Sequence, residues 1–217
     1  MGIAERKEKE KLMRRNDIIS AAEKIFTIRG FEYATMDDIS KEAGFSKKTL
    51  YSYFNSKEEL YYEIILKGFK TLNTICDEIL SKEFNRSECE KIKILGRTFI
   101  DFSCKYPGYF KAIMDYENKE QDFQQDSQNT IIKQCYEVGE HSLDILKECI
   151  IKGIEKGEFS DKNNPVTVCI TLWSYILGFV GLINKKERYI NIYYDKDIDE
   201  IIEESFEIIL NSIKSGN

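Results

Sequence analysis

Apolar side chains recur along the chain at intervals of three and four residues, which is the spacing of one face of an α-helix. In the N-terminal part this pattern predicts helices over residues 16–29, 35–43 and 47–54, followed by a long helix over residues 57–80. Gly44 stands between the second and third of these helices, where a left-handed cap would turn the chain sharply. Two such short helices joined by a turn with glycine are typical of a helix-turn-helix.

The remaining residues show the same periodicity, so the chain is predicted to be all-α with about nine helices. The predicted helices of this body span residues 87–105, a segment that starts at Pro107, 129–156, 165–183 and 198–213. The polar residues 118–127 are predicted to be a loop or the start of a helix. With only 2 prolines in 217 residues, no flexible linker is expected before the body.

The segment over residues 165–183 is apolar on nearly every face. A helix of this composition is expected to be buried on two sides, with its own domain on one side and a partner subunit on the other. A membrane span is the alternative interpretation, since the run approaches the length that a bilayer requires. Thr167, Thr171 and Ser174 interrupt the run, which favours a buried helix and no contact with a membrane.

The third helix is predicted to present a polar, basic surface. Leu50 and Phe54 are four residues apart, so they are expected to face the core together. The side chains left on the sides and outer face are Lys47, Lys48, Thr49, Tyr51, Ser52 and Tyr53. Lysine and hydroxyl groups donate hydrogen bonds to phosphates and base edges, which favours DNA binding. An ordinary helical hairpin at the end of a bundle is the competing interpretation.

Capping residues are predicted to fix the ends of these helices. Thr35, Ser46 and Ser56 are good N-cap residues, and Gly30 follows the first helix as a left-handed C-terminal cap would. An acidic residue stands three positions after Thr35 and after Ser56, which is the spacing of a capping box. Lys57 then lies at the N-terminus of the fourth helix, where backbone N–H groups already attract an anion.

Charge is distributed unevenly along a chain whose net charge is −6. Residues 1–57 carry 12 Lys or Arg against 9 Asp or Glu, whereas residues 58–217 carry 20 against 29. A basic end on an acidic body is expected where only one end of a protein meets phosphate. Residues 1–15 hold charges of both signs and could form a frayed arm or an extension of the first helix. They fit either a solvated tail or a basic arm near a DNA backbone.

No catalytic, metal or cofactor motif occurs in the sequence. The 6 cysteines form no CxxC pair and His141 is the single histidine, so a zinc site is not predicted. Val138 stands where a Glu-x-x-His motif would need its glutamate, and no Gly-rich phosphate loop occurs, which disfavours an all-helical enzyme. The charged first ten residues lack the apolar core of a signal peptide, so a cytoplasmic protein with reduced thiols is expected. A redox-sensing role for one cysteine is the alternative.

From about residue 14 to residue 65 the sequence resembles the DNA-binding region of the TetR family of bacterial transcriptional regulators. The most specific string is Leu50-Tyr51-x-Tyr53-Phe54-x-Ser56-Lys57-Glu58-Glu59-Leu60. It follows Thr35-x-x-x-Ile39-x-x-x-Ala43-Gly44-Phe45-Ser46. The first helix contributes Ala21-Ala22-x-x-Ile25-Phe26-x-x-x-Gly30-Phe31.

This resemblance implies a homodimer that places one recognition helix of each subunit in a major groove of a near-palindromic DNA operator. Positions that reach bases or neighbouring phosphates in the family are Lys47, Lys48, Thr49, Tyr51 and Ser52. Positions that hold the DNA backbone in the family are Thr35, Ser46, Tyr53 and Lys57. A helical adaptor that has lost DNA binding is the alternative, and the intact basic face of the third helix disfavours it.

The resemblance also implies a DNA-binding domain over residues 1–57 and a ligand-binding and dimerisation domain over residues 58–217, whose last two helices form the dimer interface. In the family the ligand pocket lies between the middle helices of this body. Aromatic and soft side chains that are candidates for its lining are Phe69, Phe99, Phe102, Phe110, Met114, Tyr136 and Trp173. Each also fits a plain core role, but as a set they favour a lipophilic or aromatic effector. The expected function is a repressor that a small molecule releases from DNA, without a cofactor.

Overall fold

A computed structural model describes residues 2–118 and 130–214 of the chain. Within these two ranges the chain forms nine α-helices and no β-strand, which confirms the all-α prediction. The helices are α1 (Ile3–Tyr33), α2 (Met36–Ala43), α3 (Lys47–Tyr51), α4 (Lys57–Lys82), α5 (Glu88–Lys105), α6 (Pro107–Glu117), α7 (Thr130–Glu155), α8 (Pro165–Tyr194) and α9 (Ile198–Asn211). Apart from Asn118, the predicted polar segment 118–127 lies outside the described residues.

The chain divides into two compact units. The first unit comprises residues 1–70 and 106–138, so it contains α1, α2, α3, the first part of α4, α6 and the start of α7. The second unit comprises residues 71–105 and 139–217, so it contains α5, α8, α9 and the rest of α4 and α7. A functional boundary after residue 57 stays a prediction.

The core of the first unit is built from one apolar stripe on each of its helices. On α1, Ile18, Ala22 and Phe26 recur at four-residue intervals and are buried. Ile39 of α2 and Leu50 of α3 are fully buried against this core. Burying one such side chain stabilises a fold by roughly 1.5–3 kcal/mol. These contacts hold α2 and α3 in place, because helices of 8 and 5 residues are too short to be stable alone.

The first helix is longer at both ends than the predicted range 16–29. It begins at Ile3, which confirms the helix extension as the structure of the preceding segment, and Glu10 and Arg14, four residues apart, form an ion pair there. Gly30 has φ of 77° and ψ of 160°, so the predicted left-handed helical cap at this position is wrong. Its positive φ instead kinks the chain, and one more helical turn follows it.

The eighth helix extends to Tyr194, well beyond its predicted end at residue 183. Val166 and Ile170 on one side of it are 56% and 53% exposed. The single chain thus covers one side of α8 and leaves the other open, and burial of that other side by a partner subunit stays a prediction. By length and composition α8 is apolar enough to cross a membrane, but it packs against α5 and α9 as a core helix of a helical domain does.

Within the second unit, α5 and α9 approach each other closely. A Cβ atom at Gly96 of α5 would lie 2.4 Å from the ring of Phe206 on α9, so only glycine allows this contact. Beside it, Lys93 and Arg97 of α5 form ion pairs with Glu203 of α9 at 2.5 and 2.8 Å. Ile208 of α9 is 73% exposed, so α9, like α8, has apolar surface that its own unit leaves uncovered.

The cysteines give a prediction about thiol reactivity. Burial raises the pKa of Cys76 and Cys135 to about 12 and that of Cys149 to about 11, whereas Cys104 is exposed. Because the thiolate is the reactive form, we expect a colorimetric disulfide reagent to modify Cys104 rapidly in the folded protein and the buried thiols only after unfolding. The replacement Cys104→Ser should abolish the rapid phase, and a rapid phase that survives it would contradict the expectation.

Candidate nucleic-acid interface

The turn between α2 and α3 is built by local hydrogen bonds that the sequence predicts. The Thr35 hydroxyl accepts a bond from the Asp38 N–H at 3.1 Å, and the Asp38 carboxylate accepts one from the Thr35 N–H at 3.2 Å, which completes the capping box. Gly44 has φ of 70° and ψ of 22°, a left-handed cap that ends α2. Ser46 then caps α3 by accepting a hydrogen bond from the Thr49 N–H at 3.1 Å. The two helices thus form the predicted helix-turn-helix.

The third helix presents the surface that was predicted to meet DNA. Leu50 and Phe54 are 0% and 1% exposed, so both predicted core positions are confirmed. Lys47, Lys48, Tyr51 and Ser52 are exposed, while Thr49 and Tyr53 are half-buried at the edges. The helix ends at Tyr51 instead of residue 54, and the Ser52 hydroxyl donates a hydrogen bond to the Thr49 carbonyl at 2.6 Å. Phe54 reaches the core from the turn that follows.

Charges around this surface partly offset one another. The ammonium of Lys47 lies 3.7 Å from the Asp37 carboxylate, which also pairs with Lys41 at 3.1 Å. The hydrogen bond from Lys41 and the charges of Lys41 and Lys47 lower the pKa of Asp37. A hydrogen bond from Thr35 lowers the pKa of Asp38. The α2–α3 surface is therefore suited to hydrogen bonding, but its net charge is close to balanced.

The start of α4 departs from the predicted capping box. Ser56 accepts a hydrogen bond from the Glu59 N–H at 3.2 Å, as predicted. The Glu59 carboxylate, however, accepts bonds from the backbone and side-chain amides of Asn55, at 2.7 and 3.1 Å, instead of bonding Ser56. The carboxylate thereby closes the turn between α3 and α4.

Lys57 occupies a position inside the corner between α1 and α4. Its ammonium donates hydrogen bonds to the carbonyls of Phe31 and Glu32, at 2.8 and 3.4 Å. It also lies 4.4 Å from the centroid of the Phe31 ring, within the range of a cation–π contact. The side chain expected to hold the DNA backbone is thus engaged in capping the end of α1, while its backbone N–H remains at the start of α4.

Removing this lysine is therefore expected to affect stability as well as DNA binding. Lys57→Ala should lower the free energy of unfolding by about 1–2 kcal/mol, because two carbonyls lose a charged donor. It should also weaken binding to all DNA sequences by a similar factor, since the corner that carries α3 loosens. Lys48→Ala removes an exposed charge from the same unit and is expected to leave the melting temperature unchanged. An unchanged melting temperature in Lys57→Ala would show that the corner does not depend on the ammonium.

Arg15 is a site residue that the sequence analysis did not single out. Its guanidinium lies 5.1 Å from the centroid of the Phe54 ring and forms an ion pair with Glu63 of α4. With Asn55 and Ser56 it lines an open cleft of about 870 Å³ beside the turn after α3. No local pattern identifies this contact, because its partners are distant in sequence.

A second group of contacts ties α6 to α1 and α4 within the first unit. One carboxylate oxygen of Glu23 accepts hydrogen bonds from the Lys67 ammonium at 2.9 Å and from the Tyr109 hydroxyl at 3.1 Å. The Tyr61 hydroxyl donates to Asp115 at 2.6 Å, and burial together with this bond raises the pKa of Tyr61. We call these five residues the α6 clasp. A cavity of about 220 Å³, lined in part by aromatic rings of α1 and α4 and by Pro107, lies next to it.

The predicted ligand-pocket residues are divided between the two units. Those in the first unit are Phe69, Phe110, Met114 and Tyr136, and those in the second are Phe99, Phe102 and Trp173. Phe69 and Phe102 are buried, Tyr136 is 40% exposed and the others are half-buried. None of the seven lines either of the two cavities described above. Their role in a common pocket stays a prediction.

Comparisons with known proteins agree with this geometry. Residues 18–64 match a family model described as bacterial regulatory proteins, tetR family. The chain is 24% identical over 206 residues, 92% of this chain and 91% of the relative, to YfiR of Bacillus subtilis, an uncharacterized HTH-type transcriptional regulator. It is 44% identical over 90 residues, 41% of this chain and 40% of the relative, to FasR of Mycolicibacterium smegmatis, an HTH-type transcriptional activator.

The fold is similar to that of a transcriptional regulator from Bacillus subtilis, FadR, whose structure was solved in complex with stearoyl-CoA. The TM-score is 0.71 at 16% identity, and the similarity covers 91% of this chain and 98% of FadR. Likeness at this identity concerns the fold. The segment that matches the family model includes every position predicted to contact DNA, whereas the residues before Ile18 lie outside it.

Proposed function

We propose that this chain, which belongs to the TetR family of bacterial transcriptional regulators, represses transcription as an operator-bound homodimer that a small lipophilic ligand releases. It is a transcriptional regulator and not an enzyme. The observation that carries the proposal is the α3 surface, where Lys48, Tyr51 and Ser52 are exposed while Leu50 anchors the helix from behind. The protein acts in the bacterial cytoplasm, where the DNA lies.

For DNA reading, the proposed division of roles follows burial and hydrogen bonding. Lys47, Lys48, Tyr51 and Ser52 are exposed and reach bases or neighbouring phosphates, with Thr49 at the edge. The DNA backbone is held by Thr35, Ser46, Tyr53 and Lys57. They act in part by fixing the helix caps whose N–H groups point at phosphate. Recognition of a near-palindrome requires two such surfaces about 34 Å apart.

Dimerisation through α8 and α9 is supported by their uncovered apolar surface. Val166 and Ile170 project from one side of α8, and Ser174, Gly178 and Gly181 continue that side with small residues. A Cβ atom at Gly178 or Gly181 would meet open space, so a second helix has room to approach the backbone closely. Ile208 adds apolar surface on α9. Contiguous apolar surface of this kind marks an interface, and a second copy of the same surface completes it by two-fold symmetry.

For the response to ligand, the α6 clasp supplies a physical connection. Tyr109 and Asp115 of α6 bond to Glu23 of α1 and Tyr61 of α4, so a movement of α6 would act on the helices that position α3. We propose a lipophilic, acyl or aromatic effector, because the body is rich in buried aromatic side chains and because the similarly folded FadR was solved with stearoyl-CoA. The effector would shift the population toward a dimer whose recognition helices no longer match successive major grooves.

The sign of regulation is proposed as repression by occlusion of a promoter. The similar protein FasR is an activator, so fold and family leave both signs open. Operator position relative to the promoter decides between them. A reporter gene placed under the promoter region upstream of the regulator's own gene should be expressed more strongly when the regulator is deleted.

Selection of duplexes from a random-sequence pool by the purified full chain tests the proposal. An inverted repeat should emerge, and its binding should weaken steeply as salt increases, since phosphate contacts release counterions. Addition of stearoyl-CoA, a free long-chain fatty acid or an aromatic acid to the complex then compares effector classes. Failure to enrich any sequence at low salt would refute the DNA-binding proposal.

A further inference from the structure

The first helix extends far beyond the domain that it belongs to. Residues 4–14 are all exposed, Arg15 is the first half-buried residue, and Ile18 is the first buried one. At about 1.5 Å per residue, the helix from Ile3 to Arg14 forms an overhang of roughly 18 Å. We refer to residues 3–14 as the α1 arm. It lies outside the segment that matches the family model.

The α1 arm and the adjoining Arg15 account for the positive charge of the DNA-binding region. Residues 1–15 hold six basic and three acidic residues, whereas residues 16–57 hold six of each. On the α2–α3 surface the charge of Lys47 is further offset by Asp37, 3.7 Å away. The basic end of the protein is therefore the arm, and the recognition surface itself is close to neutral.

The base of the arm adjoins the recognition helix. Arg15 lies 5.1 Å from the ring of Phe54, which follows α3 by one turn, and shares a cleft with Asn55 and Ser56. An arm that continues α1 from this point leaves the domain beside the end of α3. A duplex seated on α3 would therefore pass close to the base of the arm.

One face of the arm carries unpaired cations in register with the core stripe. With 3.6 residues per turn, Lys7 and Lys11 lie within about 20° of Ile18 around the helix, so they continue the face that α1 turns toward its domain. No ion pair is found for either of them, or for Arg6 and Lys9, among the residues that the structure describes. Arg6 and Lys9 lie roughly 120° and 180° away, on the other side of the helix.

We infer that the Lys7–Lys11 face of the α1 arm binds phosphates of the operator duplex beside the recognition helix. The contact is independent of base sequence and adds electrostatic affinity to an α2–α3 surface whose own charges nearly balance. DNA is favoured as the occupant by charge complementarity and by the position of Arg15 next to Phe54. This inference rests on the proposed DNA-binding function.

The test compares two double variants of the full chain, each of which removes two positive charges from the same arm. Lys7→Gln/Lys11→Gln changes the proposed phosphate face, and Arg6→Gln/Lys9→Gln changes the opposite face. Glutamine keeps helix propensity, and circular dichroism with thermal melting checks that both variants fold. Binding to the selected operator and to a scrambled duplex of equal length is measured by fluorescence anisotropy between 50 and 300 mM salt, on the order of physiological ionic strength.

Removal of two phosphate contacts should lower the slope of log affinity against log salt by about 1.8 and weaken binding at 0.1 M salt about tenfold or more. The preference for operator over scrambled duplex should stay the same, since no base contact is lost. Arg6→Gln/Lys9→Gln should lower the slope by less than half as much.

Three results would overturn the inference while leaving DNA binding intact. An unchanged slope in Lys7→Gln/Lys11→Gln would show that the arm does not touch the duplex, and equal losses in both variants would show an undirected charge effect. If DNA-free Lys7→Gln/Lys11→Gln sediments differently from the unaltered protein while its salt slope is unchanged, the arm contacts the acidic body of a second copy instead of DNA. Absence of operator binding by the unaltered chain would instead refute the proposed function itself.

Discussion

Replacement of Ile170 by aspartate in α8 is expected to convert the protein to a monomer and to lower its affinity for the operator at least 100-fold. Ile170 is 53% exposed in the single chain and lies on the same side of the helix as Val166, Gly178 and Gly181. Two-fold symmetry would bring two aspartates together in an apolar contact, and the cost of burying unpaired charge exceeds what the contact contributes. A monomer reaches one half-site and retains little beyond non-specific affinity, roughly 10³-fold or more weaker than specific binding.

The matched control is Ile151→Asp in α7. Ile151 is 40% exposed in the same unit, so the chemical change is identical but lies away from the proposed interface. We expect it to remain dimeric by light scattering and to bind the operator normally. A dimeric Ile170→Asp variant with full affinity would place the dimer contact elsewhere on the chain.

Leu50→Ala is expected to abolish operator binding by unfolding the recognition helix. Leu50 is fully buried, and truncation of a buried leucine to alanine costs roughly 2–5 kcal/mol because a cavity remains. The 5-residue α3 has almost no stability of its own, so this loss falls on the element that reads DNA. The melting temperature should fall and the DNA complex should disappear together.

A substitution at the neighbouring Tyr51 distinguishes loss of the fold from loss of a DNA contact. Tyr51 is 47% exposed on the same helix, and Tyr51→Ala should keep the melting temperature while weakening specific binding by about 1–3 kcal/mol. If instead Leu50→Ala bound the operator as the unaltered chain does, α3 would not depend on its core anchor. If Tyr51→Ala bound normally, its ring would be a packing residue at the helix edge, and the α3 reading face would be narrower than proposed.

Much of the N-terminal architecture could be predicted because it depends on interactions between residues close in sequence. Thr35 with Asp38, and Ser46 with Thr49, form caps at the predicted positions, and Gly44 adopts the left-handed conformation that its place after α2 requires. Leu50 and Phe54 are buried because an amphipathic turn has one apolar side. α3 ends at Tyr51, three residues before the end that its apolar spacing predicts, and the Ser52 hydroxyl bonds the Thr49 carbonyl there.

The contacts that could not be predicted join residues distant in sequence. Three such contacts depend on how the helices cross. They are the hydrogen bonds from Lys57 to the carbonyls of Phe31 and Glu32, the contact of Arg15 with the Phe54 ring, and the α6 clasp. Periodicity specifies which face of a helix is apolar, but it does not specify which neighbour that face meets or at what angle.

The sequence by itself therefore determined the helical class, the helix-turn-helix with its caps, the buried and exposed sides of α3 and the family resemblance, because hydrogen bonding and hydrophobic periodicity act within a few residues. Only the tertiary structure decided that α1 extends to Ile3 with Arg15 lying over Phe54, that Lys57 is engaged within a corner, and that α8 leaves one apolar side uncovered. These features arise from packing between separate helices, where the free energy depends on which surfaces meet.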